Sequence, residues 1–104
     1  KVTITQELDG NDVGLLIEGN RNQFTAIQSN ADSVDAILKG DLNQVSVTQE
    51  LGGNIVTLTV EGSDNWFSAT QGEASTIVAA QYGDANVMTL AQVGMNNAIY
   101  ATQR

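Results

Sequence analysis

The chain has 104 residues, carries a formal net charge of −8 and contains no Cys, His or Pro. Without Cys or His, the usual zinc and copper sites and the Ser-His and Cys-His nucleophile pairs are excluded. The acidic balance argues against nucleic acids and anionic membranes as partners, because both require clustered Lys and Arg, and no apolar run approaches the ~18 residues of a membrane-inserted helix.

A repeat of 43 residues covers the chain. When the segment from Val2 to Asn43 is aligned with the segment from Val45 to Asn86, 20 of the 42 residue pairs are identical. Within each repeat, an Asn or another small polar residue recurs every 10 or 11 residues. These positions are Asn11, Asn22, Asp32, Asn43, Asn54, Asn65, Ser75, Asn86 and Asn97. A strand and a tight turn together have about this length, so we expect ten strands in a single domain that covers residues 1–104.

The predicted strands follow one another in chain order, from a first strand at Val2 to Gln6 to a last strand at Asn97 to Gln103. Every run alternates apolar and polar residues. This period of two predicts half-buried strands, because a helix has a period of 3.6. Two kinds of strand take turns along the chain. One kind ends on an inward-facing Gln, as in Phe24-x-Ala26-x-Gln28, and the other carries apolar residues at its inward positions.

This alternation predicts an all-β fold, a β-solenoid. Two strands and two turns form one coil of 21 or 22 residues, and about five such coils would stack with like strands paired in parallel and in register. Glycines recur once per coil, directly after one kind of strand, where a turn needs a positive φ. These glycines are Gly19, Gly40, Gly62 and Gly83, and Gly10, Gly53 and Gly94 mark the other corner of the coil.

Amide side chains recur at equivalent places in successive coils, which lie ~4.8 Å apart in such a stack. A primary amide has two donors and an acceptor, so it can hydrogen-bond to its copies above and below, and ladders of this kind stabilise cross-β stacks. We expect the ladders either to template growth at the last coil or only to satisfy buried polar atoms. One glutamine column contains Gln6, Gln28, Gln49, Gln71 and Gln92, a second contains Gln81 and Gln103, and an asparagine column contains Asn22, Asn43, Asn65 and Asn86.

The two ends of the predicted solenoid are open sheet edges. Neither the first nor the last predicted strand has a Pro or a neighbouring helix that would cover such an edge. Complementary top and bottom surfaces generate open filaments. Because the number of strands is even, the first strand of a second copy would meet a strand of its own kind, and the apolar and amide columns would continue. The sequence therefore predicts a homopolymer that forms cross-β, amyloid-like fibrils.

One stretch matches a known repeat at several positions. Ser75-x5-Gln81-x-Gly83-x-x-Asn86-x-Met88-x3-Gln92 resembles the curlin repeat, S-x5-Q-x-G-x-x-N-x-A-x3-Q, with Met88 in place of Ala. Curlins are secreted bacterial subunits of curli, the extracellular functional amyloid of biofilms. The resemblance implies an adhesive structural fibre on the bacterial cell surface or in the biofilm matrix, built by head-to-tail polymerisation. It also implies a related nucleator and a dedicated outer-membrane export pore as partners.

The chain departs from the curlin pattern on the second kind of strand. Glu18, Lys39 and Glu61 stand where Gln is expected, so the second glutamine column begins only at Gln81. The resemblance leaves open whether the chain is a major subunit or a nucleator. The acidic balance favours a major subunit, whereas Arg104 resembles the basic end of a nucleator.

A monomeric ice-binding protein is the alternative function. Flat arrays of Thr on β-solenoids resemble ice-binding surfaces, and hydroxyl side chains form a column on the outward face of the strands that end in Gln. This column contains Thr3, Thr25, Ser46, Ser68 and Thr89. Ile27, Ala91 and the outward-facing Trp66 interrupt the array beside it, and Thr is common on exposed strands in any case.

Catalysis and metal binding are the remaining alternatives. Glu18, Glu61, Asp64 and Asp84 are expected near one corner, and paired carboxylates are the groups that glycosidases use. The sequence has no long loops that would build a substrate cleft, so we expect no enzyme and no cofactor. Weak calcium binding at Asp41, Asp64 and Asp84 stays open, because carboxylate oxygens are calcium ligands.

Overall fold

Ten strands and no helix make up the computed structural model, which describes every residue from Lys1 to Arg104. The strands are β1 (Val2–Gln6), β2 (Asp12–Glu18), β3 (Gln23–Gln28), β4 (Ser33–Lys39), β5 (Gln44–Gln49), β6 (Ile55–Glu61), β7 (Trp66–Gln71), β8 (Thr76–Tyr82), β9 (Val87–Gln92) and β10 (Ala98–Gln103). The period of two in the sequence reappears as alternating burial in the interior strands, because successive side chains of a strand point to opposite faces. No segment forms a helix that is long and apolar enough to cross a membrane.

The strands form two parallel sheets of five, which enclose one core. The odd sheet has the order β1-β3-β5-β7-β9, and the even sheet has the order β2-β4-β6-β8-β10. Paired residues are 21 or 22 positions apart: Thr3 pairs with Thr25, and Thr25 pairs with Ser46. Each coil gives one strand to each sheet, so the predicted β-solenoid of about five coils is confirmed. We call the coil of β1 and β2 the bottom coil and the coil of β9 and β10 the top coil.

The inward side chains of both sheets pack into a core of 15 buried apolar residues. In the odd sheet, a coil with one large and one small residue alternates with a coil that has two residues of medium size. Phe24 with Ala26 is followed by Val45 with Val47 and then by Phe67 with Ala69. Bulk is shared between neighbouring layers, which fills the interior at the density that cores require. The sequence repeat therefore has the length of two coils rather than one.

The turn after each even strand has four residues and begins with a glycine, and we call it the glycine turn. Gly19, Gly40, Gly62 and Gly83 have φ values of +109°, +109°, +125° and +95°, so the predicted positive φ is confirmed. The structure adds a second reason for glycine. A Cβ atom at Gly19, Gly40 or Gly62 would overlap with the carbonyl oxygen of the glycine in the coil above. Both the backbone conformation and the close approach of successive coils therefore require glycine here.

Every glycine turn also contains a non-glycine residue with positive φ, which the sequence does not predict. These residues are Arg21, Leu42, Asp64 and Ala85, with φ values from +57° to +61°. For an L-residue this conformation costs roughly 1–2 kcal/mol. It points the N–H group at the coil below: Leu42 donates to the Asn20 carbonyl oxygen at 3.0 Å. The parallel ladder thus continues around the corner, and its hydrogen bonds offset part of the strain.

The turns after the odd strands alternate between five and four residues. A five-residue turn ends in an Asn whose Nδ2 donates to the carbonyl oxygen four residues earlier, as Asn54 does to Glu50 at 2.8 Å. The two departures from the Asn pattern, Asp32 and Ser75, both fall on four-residue turns. There the side chain bonds differently, and Asp32 Oδ2 accepts from the Ser29 N–H at 3.1 Å. Turn length and side-chain chemistry therefore change together.

Candidate functional site

A continuous ladder of glutamines runs along one corner of the solenoid, where the odd strands end. From the bottom coil upward, each Nε2 donates to the Oε1 of the glutamine in the coil above. The donor–acceptor distances are 3.0 Å from Gln6 to Gln28, 3.2 Å from Gln28 to Gln49, 3.0 Å from Gln49 to Gln71 and 3.1 Å from Gln71 to Gln92. The structure thus brings together all five glutamines of the predicted column.

The even sheet satisfies the second N–H of the interior amides. Gln28 Nε2 donates to the Asp12 carbonyl oxygen at 3.0 Å, and Gln49 Nε2 donates to the Ser33 carbonyl oxygen at 3.1 Å. Because a carbonyl oxygen can only accept, these bonds fix which end of each amide carries the nitrogen. Buried amides are tolerated when their donors and acceptors are satisfied, so the interior glutamines of the column tie the two sheets together at the corner without orphaned groups.

The ladder has a direction, and its two ends are complementary. Every Nε2 points toward the top, and no glutamine lies above Gln92. Gln92 is only 5% exposed, and its Nε2 is therefore buried without a hydrogen-bond partner. At the bottom, Gln6 donates its own Nε2 to Gln28, and the Oε1 of this exposed residue accepts no hydrogen bond from the chain. An unsatisfied buried polar group costs about 1–3 kcal/mol. One end therefore presents an unpaired donor, and the other presents an unpaired acceptor.

The asparagine columns differ from the expected amide ladder. In the glycine turns, Asn22 Oδ1 accepts from the backbone N–H of Asn43 at 2.9 Å, and Asn43 Oδ1 accepts from that of Asn65 at 3.1 Å. Asn43 Nδ2 donates to the carbonyl oxygen of Gly62 at 2.8 Å. The asparagines thus bond to backbone rather than to each other, and they fix the turns of successive coils to one another.

A second column of this kind lies in the turns after the odd strands. Its members are Asn11, Asp32, Asn54, Ser75 and Asn97. Side-chain oxygens of the first three accept from the backbone N–H of the next member at 2.9 to 3.1 Å. At the top, Asn97 Nδ2 donates within its own turn, to the Val93 carbonyl oxygen at 2.9 Å. Here too the amides fix turns, and no continuous chain of amide–amide bonds forms.

The second glutamine column spans only the two uppermost coils of the even sheet. Gln81 Nε2 donates to Gln103 Oε1 at 3.3 Å and to the Trp66 carbonyl oxygen at 3.1 Å. Gln81 Oε1 is buried without a partner, because the residue beneath it in the register is Val60. Leu38 and Val60 fill the equivalent inward positions lower in the stack, as the departures from the curlin pattern predict.

Both ends of the solenoid expose the cross-section of the core. Val2 and Ile4 of the bottom coil are 50% and 43% exposed, whereas Val45 and Val47, in the same columns of the middle coil, are 1% and 0% exposed. At the top, Leu90 and neighbouring inward residues are only partly buried. Within residues 1–104, β1, β2, β9 and β10 each pair along one edge only. The ends thus combine apolar surface, open backbone and unpaired amides.

The acidic side chains do not assemble into a metal site, since no group of three or more Asp and Glu residues is placed to hold an ion. Asp41 Oδ1 accepts from the Asn20 N–H at 2.6 Å, and Asp84 Oδ1 accepts from the Ser63 N–H at 2.8 Å. These two carboxylates therefore join successive glycine turns. The weak calcium binding that the sequence leaves open at Asp41, Asp64 and Asp84 gains no support from this arrangement.

The outward hydroxyl column of the ice-binding alternative is present in register on the odd sheet. Thr3, Thr25, Ser46, Ser68 and Thr89 pair in sequence from the bottom coil to the top coil. The Trp66 side chain is 51% exposed and rises from the same face, so the surface is not flat.

Comparison with known proteins does not identify a family or a function. The chain gave no match to a family model, to a curated protein or to a solved structure.

Proposed function

We propose that this chain is a self-assembling structural subunit of an extracellular, curli-like fibre that grows by head-to-tail addition of copies. The observation that carries the proposal is the polarity of the glutamine ladder. Gln92 Nε2 is a buried donor without an acceptor at the top, and Gln6 Oε1 is an acceptor without a donor at the bottom. A second copy stacked on the top coil joins these two atoms and satisfies both.

The apolar columns continue across the same joint. Extending the register of the chain by one coil places Val2 over Met88, Ile4 over Leu90, Val13 over Ile99 and Leu15 over Ala101. Full burial of an aliphatic side chain of this size contributes about 1.5–3 kcal/mol, and Val2 and Ile4, which are 50% and 43% exposed in the monomer, would gain roughly half of this. Because the contact joins two different surfaces, it does not close into a dimer and repeats without limit.

The joint also suits the alternation of bulk in the core. Five coils are an odd number, so the joint brings together two coils that lack Phe. The top coil carries Met88 and Leu90 where the middle coil carries Val45 and Val47. The larger side chains supply bulk that Phe provides at the other interfaces between coils, and Met adapts readily to an irregular gap.

The extracellular location and the accessory partners rest on the curlin-like repeat alone. In that setting the fibre would attach cells to one another within a biofilm matrix. An outer-membrane pore would export the chain, and a nucleator would start the fibre before elongation. The net charge of −8 fits a subunit that must stay soluble before it meets a growing end, because like-charged chains repel each other.

Purified chain at micromolar concentration is expected to form unbranched filaments within a day, visible by negative-stain electron microscopy. Mass per length is the decisive measurement. Five coils at ~4.8 Å each give one 11.0 kDa chain per ~24 Å of protofilament. An amyloid in which every chain occupies a single ~4.8 Å layer would have about five times that mass per length. The higher value would contradict head-to-tail stacking of solenoids, and monomers that persist even when seeded would contradict the fibre.

Ice binding is the second candidate, and the in-register hydroxyl column is the observation that favours it. If the chain stays monomeric and shows thermal hysteresis, the result would support ice binding and contradict the fibre. Trp66→Thr removes the ring that interrupts the hydroxyl surface, so if the chain binds ice this variant should show a larger thermal hysteresis. On the fibre reading, the wild-type chain shows filaments and no hysteresis.

A further inference from the structure

We infer that the joint between stacked copies is specified, beyond the ladder and the core, by Tyr100 of one copy packing over Gly14 of the next. Arg104 and Glu18 form a second matched pair at the same joint. The inference rests on the proposed fibre and names residues on the outer surface that set its register and polarity.

Gly14 is the only glycine inside a strand, and its backbone does not require glycine. Its φ is not positive, unlike that of the turn glycines, and a Cβ added there would meet only the flexible carboxylate of Asp35, with Oδ1 at 3.2 Å. A glycine in a strand interior weakens the strand and marks a place where another group approaches closely. It lies on the open edge of the even sheet, at an outward position of β2.

Tyr100 occupies the opposite end of the same outward column. The register runs from Gly14 through Asp35, Thr57 and Val78 to Tyr100 on β10. The Tyr100 side chain is 76% exposed and borders a shallow groove above Val78, so most of the ring is free. When a second copy continues the column, its Gly14 lies beside Tyr100. An aromatic ring that covers a cross-strand glycine compensates for the missing side chain.

The two sheets agree on this pairing. Gln92 meets Gln6 of the next copy at an offset of 86 residue numbers (92 − 6), and Tyr100 meets Gly14 at the same offset (100 − 14). Both contacts therefore form in one placement of the second copy. A slip of two residues along the strands would put Tyr100 beside Asp12 or Leu16 and would break the glutamine bond as well.

Charged side chains at the ends of the even strands are also matched across the joint at this offset. The outward column contains Glu18, Lys39, Glu61, Tyr82 and Arg104 in that order. Lys39 lies between Glu18 and Glu61, and the neutral Tyr82 separates Glu61 from Arg104, whose guanidinium carbon lies 5.9 Å from the centre of the Tyr82 ring. Head-to-tail stacking sets Glu18 of the next copy ~4.8 Å above Arg104. A head-to-head contact would pair the strands of the two copies in opposite directions and would lose this match, so the charges favour a polar filament.

A double-mutant cycle tests the Tyr100–Gly14 contact. Tyr100→Ala is expected to raise the critical concentration for filament growth about threefold, the range of a cross-strand aromatic pair. Gly14→Val fills the space that the ring would cover, so Tyr100→Ala is expected to raise the critical concentration less in a Gly14→Val background than in the wild-type chain. The effects of the two changes are therefore expected to be non-additive, since either change alone removes the contact of the ring with glycine. Trp66→Ala is the control, because this exposed aromatic lies on an interior strand, and it should leave the critical concentration unchanged.

Arg104→Gln and Lys39→Gln test the charge column as a matched pair, because each removes one positive charge from the same column. Arg104→Gln is expected to slow seeded elongation about twofold to fivefold at low salt, and the effect should vanish at 0.5 M NaCl, where charges are screened. Lys39→Gln, between Glu18 and Glu61 of its own chain, should lower the thermal midpoint of the monomer slightly and elongate like wild type.

The outcomes separate this joint from the fibre itself. Wild-type filaments with one chain per ~24 Å, together with Tyr100 and Gly14 effects that multiply or are absent, would overturn the joint and leave the fibre standing. Failure of the wild-type chain to form filaments, even when seeded, would overturn both. Coupled effects in the cycle, with a normal thermal midpoint for each monomer, support the joint.

Discussion

Gly40→Ala is expected to destabilise the solenoid by roughly 3–5 kcal/mol, because the new Cβ combines a strained φ with an overlap in the stack. Gly40 has a φ of +109°, and its Cβ would overlap with the carbonyl oxygen of Gly62 in the coil above. Gly83 is the matched control. It has a similar φ of +95°, but the nearest atom to its Cβ would be Asn86 Nδ2 at 3.7 Å. Gly83→Ala is therefore expected to cost only about 1–2 kcal/mol.

Thermal unfolding of the monomer, followed by circular dichroism, distinguishes these two substitutions. For a domain of this size, 1 kcal/mol corresponds to roughly 5 °C in the midpoint, so Gly83→Ala should unfold about 5–10 °C below wild type and Gly40→Ala at least ~15 °C below it. Equal losses at the two positions would show that φ alone decides the cost. The close approach of successive coils would then have no part in selecting glycine.

The register of the fold is predictable from the sequence because equivalent residues in the stack repeat in the chain. Thr3, Thr25 and Ser46 fall in one column on the alternating pattern alone, and the structure pairs them so. The same holds for the glutamine column. In a solenoid each coil packs only on its neighbours, so a local period is sufficient to give the whole architecture. The alternation of Phe24 and Val45 likewise predicts how bulk is shared between layers.

The features that the sequence does not predict depend on the direction of individual groups. The sequence does not reveal that every glutamine Nε2 points toward the top. This orientation is set by carbonyl oxygens of the even sheet, such as that of Ser33, which accept from the amide nitrogens. Leu42 and Ala85 have positive φ although neither residue type favours it. Their conformation is imposed by the hydrogen bond to the coil below, so tertiary structure overrides local preference. The asparagines carry the same amide group as the glutamines and recur with the same period. Their shorter side chains nevertheless bond to backbone groups rather than to each other.

The interior of the ladder and its end are expected to respond differently to the same substitution, Gln→Leu, which keeps volume and removes hydrogen bonding. Gln49 accepts from Gln28 at 3.2 Å and donates to Gln71 at 3.0 Å. Gln49→Leu leaves an N–H of Gln28 and the Oε1 of Gln71 buried without partners. At about 1–3 kcal/mol per orphaned group, we expect the monomer to lose roughly 2–4 kcal/mol, measured as a lower urea midpoint at an unchanged m-value.

Gln92→Leu should instead leave the monomer almost unchanged and impair growth. Gln71 Nε2 loses its bond to Gln92 Oε1 but keeps its bonds to the Ile55 and Ser75 carbonyl oxygens, and the Nε2 removed from Gln92 had no partner. At the joint, however, Gln6 Oε1 of the next copy is buried against Leu, which raises the critical concentration about tenfold for each 1.4 kcal/mol. Seeded elongation and urea unfolding of the two variants, side by side, separate the two roles of the ladder. Wild-type elongation by Gln92→Leu would mean that the amides only satisfy polar atoms within the chain. Slow elongation with a stable monomer means that the unpaired end of the column selects the next copy.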